Sequence, residues 1–370
     1  MQKKQVAVVD VGSSKIRAVV GERGINKTFV IKGSSSFEYD GYSDGVFFDV
    51  DGLKNILFNV ADFIKKSASS NLSTVYVGVP GEFTKVVVKD SQISFLKKKK
   101  IQDEDVDKLF ESAFVMTSTN MTMINRSAIV YELDDFRRLA NPVGASSEIL
   151  KGKLSFVLCS NYFIEAIKSV LETSGVNNVE FVSSPLAEAL YLIDAETRDR
   201  TSILVDIGYI STTLTIIQGD GILYQKSFAY GGGYITAAIT EKFSMEFDVA
   251  ERLKRKINLS QLSAKSGFDI VDADNGERYN IEDVKNVMKS SLDDLCENIS
   301  NAIDESGYII PEYVPLLITG GGIGYIRGAK EHVSGRLDMS VGVIAPKVPL
   351  MDKPTESAML SLMDLALEQK

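Results

Sequence analysis

A chain of 370 residues, 44% hydrophobic and 25% charged, is long enough for two domains with separate cores and has the balance of a globular protein. Its formal net charge of −9 argues against a nucleic-acid surface, which needs a concentrated basic face, and its single histidine, His332, nearly removes histidine-based catalysis and metal ligation. Cys159 and Cys296 have the spacing of neither a metal site nor a redox pair, so a reducing compartment fits them best.

The N-terminus reads MQKKQVAVVDVGSSK, and Asp10 breaks its apolar run after about five residues, too few for a signal peptide. No later stretch approaches the roughly 18–20 apolar residues of a membrane-spanning helix, so a soluble, cytoplasmic protein is expected. The segment QVAVVDVGSSKIRAVVGE, from Gln5, is a β-branched run that reaches an Asp-apolar-Gly step and then a second β-type run. Leu53, Ile56, Leu57, Val60, Phe63 and Ile64 then recur at helical spacing and predict a core-facing helix, followed by the strand STVYVGVP. From Gly81 to Leu158 two strand-like stretches, KVVVKDSQISF and MTMINRSAIVYEL, flank the helix-like QDEDVDKLFESAF. The basic run Lys97 to Lys100 reads as a solvated loop, with an approach to a membrane as the other reading.

A second copy of the opening pattern, SILVDIGYISTTLTIIQG, begins at Ser202, and Asp206-Ile207-Gly208 matches Asp10-Val11-Gly12. Such a match between the halves of one chain indicates an internal duplication. The chemistry of the step is readable. Glycine after a strand-end aspartate allows a tight turn and a close approach of backbone N–H groups to a ligand. With the hydroxyls of Ser13 and Ser14, those N–H groups suit a phosphate, and the aspartate suits a magnesium ion held through its waters. Two such hairpins facing each other would grip a nucleotide's phosphates from both sides. A third segment, PLLITGGGIGYIRGAKEHV from Pro315, is an apolar strand running into Gly320, Gly321 and Gly322 and then a helix-like stretch. It suits a base or an α-phosphate near a helix N-terminus, and it has neither P-loop nor Rossmann spacing.

In this order the three segments resemble the superfamily of actin, sugar kinases and heat-shock chaperones. That resemblance implies an α/β, actin-like (ribonuclease H-like, duplicated) fold with two domains hinged around an ATP cleft. The turn Asn141-Pro142-Val143-Gly144 and its following strand, the helix SSPLAEALYLID, the glycine step YGGGYITAAITEKF and FDVAERLKRKI make the chain most similar to the bacterial cell-division family FtsA. The resemblance implies subdomain IA in 1–80 with 159–198 and 346–370, and an inserted IC-type subdomain in 81–158. It implies IIA in 199–235 with 311–345, and IIB in 236–310. It further implies ATP and Mg2+ as ligands: Asp10 and Asp206 for the metal, Gly12, Ser13, Ser14, Lys15 and Gly208 for phosphates, Gly320 to Gly322 for adenosine, and Gly232 of the glycine step as a further nucleotide-binding residue. Glu251 and Lys254 stand at the spacing of the family's ribose- and base-contacting pair, an exposed helical ion pair being the plain reading of the same residues.

The implied role is a scaffold that self-associates into filaments and receives the C-terminal peptide of the ring protein FtsZ on segment 236–310, at the inner face of the membrane, with no nucleic-acid partner. Three departures qualify it. Tyr209 and Ile210 stand where the family often has Gly-Thr, so Tyr209 either crowds the γ-phosphate or faces the core. Ser184 stands where hydrolysing relatives carry a glutamate, so slow or negligible hydrolysis is expected, with Glu188 one turn on as a substitute. The final helix, PTESAMLSLMDLALEQK, is acidic and reads as a helix closing the first domain, unlike the basic amphipathic tail by which FtsA attaches to membranes. The second reading is a PilM-type pilus-assembly adaptor, which lacks that tail. The third is a small-molecule kinase, for which only Asp134 and Asp135 offer a base.

Overall fold

The computed structural model describes residues 5–25, 28–68, 72, 74–115, 118–261, 270–272 and 276–368. Two five-stranded sheets carry the duplication. The first contains Gln5–Val11, Lys15–Arg23, Phe29–Glu38, Val75–Val79 and Val179–Ser183. The second contains Ser202–Ile207, Thr212–Gln218, Gly221–Phe228, Leu316–Thr319 and Val341–Val343. In each, the first three strands in chain order form an antiparallel meander, and the last two join the first strand's other side in parallel. Parallel pairing requires crossover connections, whose helices cover one face of each sheet, while the C-terminal helix and helix Ser184–Leu192 pack on the other faces. This is the duplicated actin-like architecture expected from the sequence.

The near-continuous apolar run of the first strand follows from that double cover. Ala7, Val9 and Val11 join one core with helices Val50–Ser67 and Asn161–Thr173, while Val6 and Val8 join another with the C-terminal helix Ser357–Glu368. Helix Val50–Ser67 buries Leu53, Leu57, Val60, Ala61 and Ile64, and Asp49 caps its start by accepting from the Gly52 N–H. Ile56 and Phe63, also expected on the core face, are only partly buried at its margin.

Between these layers lies an inserted sheet of Thr84–Lys100, Met121–Leu133, Arg138–Leu139 and Ser146–Ser160, with helix Asp103–Ala113 on one face. Lys97 to Lys100 end its first strand and do not form the loop read from their charge. Lys99 and Lys100 pair in register with Ser147 and Ser146, and Lys99 meets Asp105 at 2.7 Å. The insertion docks on the second half as well: Ser155 Oγ donates to Ile222 O at 2.7 Å, and Ile129 is part of the second half's core. Helices Gly232–Phe243, Phe247–Lys256 and Ile281–Ser306 cap the second sheet. Of the segment 236–310, residues 262–269 and 273–275 lie outside the described residues.

The first half reaches the second through helix Ser184–Leu192 and a short turn ending at Arg198. Arg198 is buried and knots this crossover to the second hairpin. Its guanidinium donates to Leu190 O, Ile193 O and Gly219 O and pairs with Asp220 at 2.8 Å. Replacing Arg198 with alanine leaves those buried carbonyls without a donor. Urea unfolding is expected to show a loss of about 2–3 kcal/mol, and a loss below about 0.5 kcal/mol contradicts the knot.

Candidate nucleotide site

The two hairpins turn in the same way. The Gly12 N–H donates to Lys15 O at 3.0 Å, and the Gly208 N–H donates to Ser211 O at 2.9 Å. Each turn follows a strand whose penultimate residue is its aspartate, and the two turns touch, the Ile210 N–H donating to Ser13 Oγ at 3.1 Å. They enclose a cleft of about 550 Å³ between the halves. Asp10, Gly12, Ser13, Ser14, Lys15, Asp206, Gly208, Gly232, Glu251, Lys254 and the triplet Gly320, Gly321 and Gly322 all line it.

One floor residue was missed in the sequence. Arg17 donates through Nε and Nη2 to Asp10 Oδ2 at 3.1 and 2.7 Å, and through Nη1 to Thr355 O at 2.6 Å. It also meets Glu356 at 3.3 Å, which ties the first hairpin to the chain's return crossover. The hairpin register would have found it, because Asp10 and Arg17 are direct cross-strand partners and share a face. Asp206 has Thr213 as the matching partner, so the second half supplies no second guanidinium.

The floor therefore holds Asp10, Asp206 and the fully buried Glu188 against Arg17. Burial, then the charge of Asp10, pushes the Asp206 carboxyl up to about 6 despite the opposing pull of Arg17. Burial, then Asp206 and Asp10, pushes Glu188 well above the carboxylate range. Glu188 Oε1 has no hydrogen-bond partner. Among the described residues no three acidic, histidine or cysteine side chains converge closely enough to hold a bare metal ion. An excess of buried carboxyls with an orphaned oxygen instead fits a magnesium ion that keeps its waters and takes its remaining ligands from phosphates.

The opposite wall is locked. Lys254 is fully buried and donates to Gly232 O at 2.8 Å, Thr236 Oγ1 at 2.7 Å and Glu251 Oε2 at 2.7 Å. Glu251 also accepts from Thr236 Oγ1 at 2.5 Å, Arg255 Nε at 2.9 Å and Tyr325 OH at 3.1 Å. Burial alone would raise this carboxyl, but Lys254, Thr236 and Arg255 outweigh it and bring Glu251 down to about 2. The pair is thus an ionised wall of the cleft and not the exposed helical pair that the same spacing allows. Two positions of the glycine triplet, Gly320 and Gly322, admit only glycine, a Cβ on Gly322 standing 2.3 Å from Gly208 O. Gly320 has φ +91°, and a Cβ there would stand 2.2 Å from Asp206 Oδ1. A Cβ on Gly232 would stand 2.3 Å from Gly322 O. The helix expected directly after the triplet begins only at Ala329, so its N-terminus does not adjoin the glycines.

Tyr209 lines the cleft, edge-on to Phe247, and does not enter the core. Ser184 also lines the cleft. Asp134 and Asp135 sit at a turn of the inserted sheet, where Asp134 accepts from the Glu148 N–H at 2.9 Å, and neither lines the cleft. Among the described residues no helix is long and apolar enough to cross a membrane.

Fold and cleft together define a protein of the actin-like ATPase fold. Among solved structures it is similar to a PilM–PilN type IV pilus biogenesis complex, with a TM-score of 0.65 and 15% identity, covering 99% of this chain and 100% of that one. It is also similar to MreB 5 of Spiroplasma citri bound to AMPPNP, with a TM-score of 0.57 and 12% identity, covering 99% and 96%. In sequence the chain resembles the cell division protein FtsA. The FtsA of Streptococcus pneumoniae serotype 2 is 22% identical over 368 residues, 97% of this chain and 79% of the relative. The FtsA of Neisseria meningitidis serogroup B is 18% identical over 352 residues, 94% and 85%. A family model for the type IV pilus assembly protein PilM matches residues 166–266.

The raised carboxyls predict a pH dependence. Asp206 keeps its proton in the folded protein up to about pH 6, whereas the unfolded chain releases it near the ordinary value of 3.8. The folded state therefore binds more protons across this window, and ligand-free stability falls as pH rises through it. In thermal melts from pH 5 to 7, wild type is expected to lose about 2–4 °C relative to Asp206→Asn. Parallel curves for the two proteins contradict the raised value.

Proposed function

We propose that the chain is an ATP-binding, actin-like scaffold of bacterial cell division that self-associates and connects the FtsZ ring to the membrane or to other division proteins. One observation carries the nucleotide part: two matched Asp-apolar-Gly hairpins and a glycine triplet close on a single cleft whose far wall is the locked Lys254–Glu251 pair. In this reading Gly12 to Lys15 and Gly208 hold phosphates, and the bonded turns already sit face to face. Asp10 and Asp206 hold the waters of Mg2+, which neutralises the floor against the phosphates. Gly232, Glu251, Lys254 and Gly320 to Gly322 take the adenosine, with Tyr325 and Arg255 stacked at its edge, the guanidinium 4.7 Å from the ring centre. The division role is supported by the similarity to FtsA along most of the chain. The FtsZ peptide is assigned to segment 236–310 by resemblance.

A PilM-type adaptor is the second reading, favoured by the PilM model over residues 166–266 and by the likeness to the pilus complex. Both readings share the cleft and differ in the peptide bound.

Two titrations test these assignments. Asp206→Ala is expected to weaken Mg-ATP binding by at least about 10-fold in calorimetry, and unchanged affinity removes the cleft assignment. With Mg-ATP present, the C-terminal peptide of the same organism's FtsZ is expected to bind saturably. Binding of a PilN peptide, with none of the FtsZ peptide, shifts the function to the pilus adaptor.

A further inference from the structure

Glu188 is the floor residue that the nucleotide reading leaves without a partner. Its side chain is 1% exposed, it lines the cleft, and its Oε1 accepts no hydrogen bond. The guanidinium of Arg17 does not serve it, because its hydrogen bonds go to Asp10, Thr355 and Glu356. The surrounding helix is otherwise apolar or small, with Leu186, Ala187 and Ala189 buried beside it, so a methionine at 188 would pack there without the loss incurred by a dry, orphaned carboxyl oxygen. Retaining the acid lowers the stability of the ligand-free fold, and the group it waits for must be one that an acid suits.

A phosphate is not that group. Asp10, Glu188 and Asp206 face the cleft with Arg17 as the counter-charge, and a phosphate set against Glu188 would hold the acid protonated and gain no charge partner from it. A divalent cation reverses the sign, and the wide spacing of the carboxyls calls for one that keeps its water shell. Resting on the nucleotide-cleft reading, we infer that Glu188 is a third carboxylate acceptor, beside Asp10 and Asp206, for the waters of the divalent cation that enters with the nucleotide's phosphates. It stands one helical turn beyond Ser184, where the sequence offers a hydroxyl in place of an acid. Its consequence is an unusually strong dependence of nucleotide binding on the cation.

The test is ATP affinity by calorimetry in excess Mg2+ and in excess EDTA, for wild type, Glu188→Gln and Glu188→Met. Removing the acid is expected to weaken Mg-ATP by about 10-fold and to leave metal-free ATP within about twofold, because Glu188 holds its proton until the cation arrives, so that the ratio of the two affinities falls about 10-fold. The Met variant is also expected to melt higher than wild type without ligand, which shows that it folds. Variants that keep the wild-type ratio within about twofold overturn the role of Glu188. A wild type that binds ATP in neither condition overturns the cleft assignment itself, and this inference with it.

Discussion

Duplication brings two like charges together, and much of the cleft can be understood as the means of holding them there. Asp10 and Asp206 stand one residue before the ends of equivalent strands in two equivalent sheets, so the symmetry that builds the fold also sets carboxylate against carboxylate. Neither can move away, because each belongs to a central strand paired on both sides. The halves differ at the cross-strand partner. The first half places Arg17 opposite its aspartate, the second places Thr213, and that difference gives the floor its one guanidinium.

Arg17 also reaches out of the floor. Its bonds to Thr355 and Glu356 connect the first phosphate turn to the segment that carries the chain back from the second half, just before helix Ser357–Glu368. Any phosphate that draws on this guanidinium competes with both contacts. The far wall behaves oppositely. The Lys254 ammonium has three partners inside the protein and Glu251 accepts from four donors, so that wall is set before a ligand arrives. A rigid wall for the base side and an exchangeable floor for the phosphate side is an arrangement that can register the state of the phosphates.

Much of this was legible in the sequence, for physical reasons. The repeated Asp-apolar-Gly step is local, and tight turns need particular residues, so the motif and its copy can be read directly. Central strands covered on both faces leave continuous apolar runs, which marked VAVVDV and SILVDI. What depended on register or on distant contacts was not legible. The role of Arg17 comes from cross-strand pairing, which the motif's own residues, Lys15 among them, do not encode. The lysines 97–100 looked like a loop because charge was read where pairing with Ser146 and Ser147 decides. The helix after the glycine triplet starts late because Gly328, at φ +86°, and the turns before it intervene. In the sequence Glu188 is only a stand-in for a missing acid, since burial and an unpaired oxygen are visible only in three dimensions.

The central claim is that one ligand is held by both halves at once. Hydrogen–deuterium exchange with and without Mg-ATP tests it most directly, because it reads each loop separately in the same protein. The account predicts simultaneous slowing at residues 11–15, 207–211 and 320–325, with no change at the inserted strand ending in Lys97 to Lys100. Protection confined to one half, or none in any of the three loops while ATP binds elsewhere, contradicts it.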